Sequence, residues 1–480
     1  MNWVIKENND NESVKRLSNE LNISPILSSM LVNRRIKTFD QAKKFFRPNF
    51  EMLHDPFLMK DMSLAVERIQ KAIQKNESIM IFGDYDVDGT SSVALLSMYL
   101  ESLGLKIIKY LPDRKKEGYG VSINAIDHAF SKNHKLIIAL DCGIKAHKQV
   151  EYAKEKGIEF IICDHHNPDK NLPKALAILN PKRKDCAYPF KELCGCGVGF
   201  KLVQAVESKQ SKNNQIINYL DLVALAIAAD VVPLTGENRV LAFIGLQIIN
   251  SNPRPGVHSL LKKNVKKEYT ISDLMYYVGP RINAAGRMKH ASLALEVLIC
   301  NDINSIEKLA LEIEDLNTSR KDIEKDITSQ AIEQVDNSSE KLNSIVVFDS
   351  DWNKGVIGIV ASRLVDKYYK PSIVFCESSK GVLTASARSI KGLDLYSVLN
   401  QCKGFIDQFG GHKYAAGLTI KKENLEGFKK HFENIVSQII DKNIFEQELL
   451  IESKINLNEI TPKFFRILKQ FEPFGPGNKS

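Results

Sequence analysis

Cysteine is scarce: the chain has eight in 480 residues. Cys194-Gly-Cys196 is the one close pair, and no second pair completes a zinc pattern. A disulfide-stapled secreted fold is therefore excluded, and structural thiols are expected. Also missing is any run of ~18 or more uncharged apolar residues, the length of a membrane-spanning helix. The first ten residues are too polar and acidic for a secretory signal, so a cytoplasmic location is expected. Neither sign of charge dominates: 66 Lys and Arg against 58 Asp and Glu leave +8. That balance permits a polyanionic partner without requiring one. What remains is an ordinary globular composition, 44% hydrophobic and 26% charged, on a chain long enough for about three domains.

Residues 79–90 organise the reading. Ile79-Met80-Ile81-Phe82 reads as a short buried strand running into Gly83, after which Asp84, Asp86 and Asp88 follow at alternate positions. Carboxylates this close repel one another, so a fold that buries them needs a cation. Oxygen donors suit Mg²⁺ or Mn²⁺. Further apolar runs behave in the same way. Residues 136–140 end at Asp141, 160–163 at Asp164-His165-His166, and 177–179 at Asn180-Pro181. Continuous apolar runs separated by helical patterns predict a mostly parallel sheet covered on both faces. Ligands gather at the carboxyl ends of such strands, where Asp84, Asp141 and Asp164 would meet. A buried helix over 220–229 would deliver Asp230 to the same place.

A single Asp at a strand end is usually a turn or cap residue. Carboxylates joined by adjacent histidines are what metal-assisted phosphoester hydrolysis needs: the ion lowers the pKa of a bound water and neutralises phosphoryl oxygens, and Asp86 or Asp141 could bridge two ions. Asp86-Val-Asp88-Gly-Thr90 also looks like the nucleophile motif of haloacid-dehalogenase-like phosphatases. In those enzymes, however, the strand runs straight into the first Asp, whereas Gly83-Asp84-Tyr85 intervenes here, and Asp164-His165-His166 would go unexplained.

Residues 1–55 read as a helical lead-in, 56–301 as the catalytic α/β domain and 302–340 as a charged connector helix without Gly or Pro over 302–335. A second, smaller α/β domain is expected over 341–445, and 446–480 as the start of an incomplete region. The segment 278–288, with Arg281 and Arg287, reads as a Gly- and Pro-bearing loop.

Gly83-Asp-Tyr-Asp-Val-Asp-Gly89 with Asp164-His165-His166 resembles the DHH phosphoesterase superfamily. Leu111-Pro-Asp-Arg114, Asp141-Cys-Gly143, Ala229-Asp-Val-Val-Pro-Leu234, Gly279 to Arg287, Ser386-Ala-Arg-Ser389 and Gly410-Gly-His412 point within it to the bacterial single-strand-specific 5′→3′ DNA exonucleases. The likeness covers roughly residues 50–480. It implies two α/β lobes, a DHH domain and a smaller DHHA1 domain, joined by a long helix around a cleft. It also implies one or two Mn²⁺ or Mg²⁺ ions held by Asp84, Asp86, Asp141, His165 and Asp230. His166 would stand beside the scissile phosphate, with Asp88 and Asp164 orienting ligands from behind. Arg114, Arg281, Ser386 and Arg388 would bind phosphate and the 5′ end, and Gly410, Gly411 and His412 would form the substrate loop.

Single-stranded DNA is the implied substrate, in repair and recombination, with single-strand-binding protein and repair helicases as partners of a monomer. Phosphodiesterases of short oligonucleotides or cyclic dinucleotides, and inactive DNA-binding scaffolds, are the related alternatives. Two departures stand out. Asn353 occupies a position where the family usually has His, and Glu472-Pro-Phe-Gly-Pro-Gly-Asn478 resembles the entrance to the family's OB fold, which does not follow.

Overall fold

The apolar runs become the centre of a five-stranded parallel sheet. Its order is Lys106–Tyr110, Ser78–Gly83, Leu136–Leu140, Glu159–Cys163, Ala177–Leu179. In the computed structural model, residues 2–6, 10–114, 116–210, 216–338, 342–439 and 448–479 are described. Lys115 and the expected domain boundaries at 340/341 and 445/446 lie outside them. Alternate residues of the inner strands enter two different cores. Ile79, Ile81, Leu136, Ile138 and Ile161 pack with the helices Val87–Ser102, Gly195–Glu207 and Leu220–Asp230. Met80, Phe82, Ile137, Phe160 and Ile162 pack with Ile123–Ser131 and His147–Glu155. Burial on both faces is why the runs do not alternate in polarity. Lys106–Tyr110 escaped the sequence reading because Lys106 and Lys109 break its pattern. It is an edge strand and only partly buried, where lysine is tolerated.

The chain divides into two units: residues 8–317 with 455–480, and 1–7 with 318–454. The division falls inside the 34-residue helix Ile303–Asp336. Ile313 of that helix lies in the core of the larger unit, and Ile327 and Ala331 in that of the smaller. The smaller unit has its own five-stranded sheet, ordered Gln408–Gly411, Ala415–Lys421, Val382–Arg388, Ser372–Ser379, Ile345–Asp349. Its pairs are antiparallel except the last, which is parallel. The helices Ile357–Tyr368 and Leu425–Ile439 cover opposite faces of this sheet.

Two segments differ from the sequence reading. Residues 278–288 are not a loop: Gly279–Met288 is helical, with Pro280 in the first turn, where no intrahelical N–H is needed. Residues 455–479 fold back into the larger unit. Phe464 of the helix Pro462–Lys469, and Phe471 beyond it, share a core with Leu17, Leu27, Leu31 and Ala42 of the N-terminal helices.

A buried ion pair in the larger unit holds the end of the N-terminal stretch through His54. Lys201 and Glu237 are both almost wholly inaccessible and 3.2 Å apart, and Glu237 also accepts from Tyr188 Oη–H and His54 N–H. Lys201→Met leaves the Glu237 carboxylate buried without its cation. It is expected to cost about 3–5 kcal/mol, read as a lower urea midpoint with an unchanged slope.

Candidate metal centre

Three strand ends and three helix ends converge on one acidic cluster. After Gly83 the chain turns through Asp84 to Asp86, whose Oδ1 accepts from Gly89 N–H (3.0 Å) and caps the helix Val87–Ser102. Gly89 lies so close to Asp84 that a Cβ would stand 2.4 Å from its carbonyl oxygen, so glycine is required there. Asp141 continues its strand by donating N–H to Cys163 O (2.9 Å), and then takes a left-handed φ of 60°, which Asp tolerates better than most residues. Asp230 ends its helix, which Val231 breaks with φ of 57°.

His165 is the hub. Its Nε2 lies 3.1 Å from Asp141 Oδ1, 3.7 Å from Asp230 Oδ2 and 3.9 Å from Asp88 Oδ2. Asp141 Oδ1 and His165 Nε2 are buried without hydrogen-bond partners, as is Asp84 Oδ1; the 3.1 Å approach is close but lacks hydrogen-bond alignment. Burial, helped by the charge on His166, lowers the His165 pKa to about 3, so its imidazole is neutral and offers a lone pair.

The acids move the other way. Burial and then the neighbouring carboxylates raise Asp84 and Asp141 well above the usual range, Asp230 to about 9 and Asp88 to about 7. Groups of this kind, unpaired and mutually repelling, fit a divalent cation. Ligand atoms of Asp141, His165 and His166, and of Asp88, His165 and Asp230, lie within 4.8 Å of one another.

The residues expected to work from behind divide in two. Asp164 faces the backbone: it accepts from Ile144 N–H (2.9 Å), His165 N–H (2.7 Å), His166 N–H (3.1 Å) and the His166 ring Nδ1 (2.7 Å). Burial would raise its pKa, but these bonds and the imidazolium of His166 outweigh burial and hold it at about 2. In return, Asp164 raises His166 against the effect of burial. Asp88 instead faces the cluster, and its carboxylate also accepts from Gly195 and Cys196 N–H (both 2.7 Å) at a helix N-terminus. Asp84 and Asp86 belong to neither group of three, although their charge acts on Asp141.

Sequence reasoning missed two contributors. Tyr119 Oη lies 3.4 Å from both ring nitrogens of His166. Gly195 lies so close to Asp141 that a Cβ would stand 2.6 Å from its Oδ1. The Cys194-Gly-Cys196 pair was a visible signal, but its use is to open a helix: Cys194 Sγ accepts from Gly197 N–H (3.3 Å).

The expected phosphate groups separate. Arg114 lies over the Tyr85 ring at 4.9 Å, and its charge reaches Asp84. Arg281, expected at phosphate, is 8% exposed, and its guanidinium is engaged by Glu314, Tyr277 O (2.6 Å) and Asn264 Oδ1 (3.4 Å). In the smaller unit, Arg388 donates to Ser386 Oγ (3.0 Å). A Cβ on Gly358, at the start of the helix Ile357–Tyr368, would stand 2.9 Å from that oxygen and 3.2 Å from Arg388 Nη2. Both groups therefore sit at a helix N-terminus suited to an anion. Gly410 and Gly411 lie on the exposed edge strand, and His412 is exposed in the following turn. Asn353 Oδ1 accepts from Gly355 N–H (2.8 Å), a turn-forming role.

Two family models match the chain: the DHH family N-terminal domain over 78–227 and the DHHA1 domain over 341–438. Fold and site thus define a DHH protein with a DHHA1 domain. The single-stranded-DNA-specific exonuclease RecJ of Bacillus subtilis is 37% identical over 99% of this chain and 60% of the relative, and that of Haemophilus influenzae 36% identical over 96% and 83%. The crystal structure of RecJ in complex with Mn²⁺ from Thermus thermophilus superposes with a TM-score of 0.88 at 26% identity, covering 100% of this chain and 68% of that one. The chain belongs to the RecJ family.

Proposed function

We propose that the chain is a divalent-metal-dependent exonuclease that takes the 5′ end of single-stranded DNA and releases mononucleotides. The observation that carries this reading is the His165 hub, with its unpaired nitrogen facing buried, unpaired carboxylate oxygens. The substrate named for the relatives and the Mn²⁺ of the Thermus structure support it.

Asp84, Asp86, Asp141, His165 and Asp230 hold Mn²⁺ or Mg²⁺, and the proximity of Asp88 to His165 keeps it close enough to join or orient that set. When bound, the ion supplies a water of lowered pKa and neutralises phosphoryl charge. His166, whose pKa Asp164 raises against the effect of burial, faces the developing charge on the phosphate oxygens. Arg114 holds backbone phosphate, while Ser386 and Arg388, with the helix start at Gly358, take a terminal phosphate; Gly410, Gly411 and His412 line the strand's path. The chain acts as a monomer in the cytoplasm during repair and recombination, beside single-strand-binding protein and helicases. This setting is what the resemblance to the single-strand-specific exonucleases implies.

Single strands labelled at either end decide the matter. With Mn²⁺, labelled mononucleotide is expected at once from the 5′ label only, with none in EDTA or from blunt duplex. Survival of long strands while di- to pentanucleotides disappear would support a short-oligonucleotide phosphodiesterase instead.

A further inference from the structure

The first turn of the helix Gly236–Ser251 carries, beside Glu237, the buried side chains Asn238 and Arg239, which belong to neither group of ligand atoms. Asn238 is fully buried, and its Nδ2 donates to Glu192 O and to Pro233 O (3.0 Å). Pro233 follows Asp230 by three residues. Glu192 precedes by three the Gly195 whose N–H holds Asp88 and whose backbone lies against Asp141. One side-chain amide thus joins the two backbone segments that locate Asp88, Asp141 and Asp230.

Arg239 anchors the same turn from the other side. It is 5% exposed, lies 3.8 Å over the Phe45 ring and donates to the carbonyls of Phe45 (3.2 Å), Gln470 (3.3 Å), Phe471 (2.9 Å), Glu472 (2.9 Å) and Pro473 (3.3 Å). Burial, then the charge of Arg34, lowers its pKa to about 10, so it is still a cation at neutral pH. Asn478 closes the clasped segment, donating to Phe471 O and Pro473 O (both 2.8 Å) and accepting from Arg34 Nε (2.7 Å). Leu234 N–H, four residues after Asp230, donates to Pro476 O (2.7 Å). The segment 470–478 is therefore hydrogen-bonded into the strap that carries Asp230.

We propose that Asn238 and Arg239 are positioning residues for the metal centre, fixing Asp230 relative to Asp88 and Asp141 through Pro233, Glu192 and the segment 470–478. This rests on the metal reading above. Asp230 needs such support: it ends its helix, its side chain is 29% exposed, and its neighbours repel it. A metal site holds its affinity only while each ligand stays within a few tenths of an ångström of its place. Groups that orient ligands from behind typically carry a 10–100-fold share of that affinity.

The test is Mn²⁺ binding by calorimetry on the full chain and on Asn238→Ala, Arg239→Lys, Asn478→Ala and Asp230→Asn, together with amide hydrogen exchange over residues 231–235. Asn238→Ala and Arg239→Lys are expected to weaken Mn²⁺ binding roughly 10-fold or more. They should raise by the same factor the Mn²⁺ needed for half-maximal hydrolysis, keep the rate at saturating Mn²⁺ near that of the parent, and speed exchange at 231–235. Asn478→Ala should do the same to a smaller degree. Lower thermal stability with unchanged Mn²⁺ affinity in both main variants would overturn the proposal, reducing the pair to structural anchors. Should Asn238→Ala fail to fold, Arg239→Lys and Asn478→Ala decide alone, and parent-like affinity in both overturns it. If Asp230→Asn binds Mn²⁺ as the parent does, the metal reading itself fails, which separates the two.

Discussion

Asp141→Ala is expected to abolish hydrolysis, lowering the rate by roughly 10³-fold or more, while single-stranded DNA is still bound and the apo-protein becomes more stable. Asp141 is 3% exposed, its Oδ1 is the carboxylate oxygen nearest His165 Nε2, and the charges of Asp88, Asp86, Asp230 and Asp84 all bear on it. Alanine removes a central ligand together with the buried carboxylate on which four neighbouring charges bear. Activity and stability should therefore move in opposite directions, which a mutation that merely damages the fold cannot produce. Three measurements check this: end-label release with Mn²⁺, fluorescence anisotropy of a labelled strand, and melting in EDTA. Residual hydrolysis at the parent rate would remove Asp141 from the site. A lower melting temperature in EDTA would show that its repulsion is compensated by groups other than a metal.

Metal removal should have the second large effect, and one that grows with pH. Asp88 is raised from 3.8 to about 7 and Asp230 to about 9, with Asp84 and Asp141 raised as well, burial leading in every case. Between the unfolded and folded values, the folded state binds more protons than the unfolded one. Stability in EDTA is then fully present below about pH 4 and is lost as pH rises through about 7 and 9.

His165, lowered to about 3, works in the opposite direction, but only below about pH 6.5, where the unfolded imidazole takes up a proton. Above that, the carboxylates and the raised His166 act together. One unit is worth about 1.4 kcal/mol, so Asp88 alone represents several kcal/mol. Mn²⁺ selects the ionised acids and the neutral imidazole, so its stabilisation should grow with pH. Melting curves in EDTA and in Mn²⁺ should therefore diverge from pH 6.5 to 8.5, by on the order of 10 °C at the upper end. Parallel curves would mean that the acids keep their protons whether or not metal is present.

Much of this was legible in the chain because its signals were local. Continuous apolar runs located four strands of the larger sheet, and the acids at their ends followed from where such strands stop. The 34-residue helix was legible from its spacing and the absence of Gly and Pro. The edge strand Lys106–Tyr110 was hidden because partial exposure removes the need for an apolar run. Residues 279–288 were misread because Pro and Gly serve helix starts as readily as loops.

Other features depended on the tertiary structure alone. The residue type of Arg281 is compatible with phosphate, but that Glu314 would lie beside it could not be read from the chain. Asp164 and Asp88 looked alike in the sequence; one is held by the amides of its own loop and of Ile144, the other by a helix start 107 residues away. That 470–478 would close on Arg239, far behind it in the chain, could not be read from either segment. The sequence determined which groups could bind a metal, since that is a property of side-chain chemistry and local pattern. Only the folded chain decided which of them face one another, because burial, desolvation and the partner of each charge arise from contacts between distant residues.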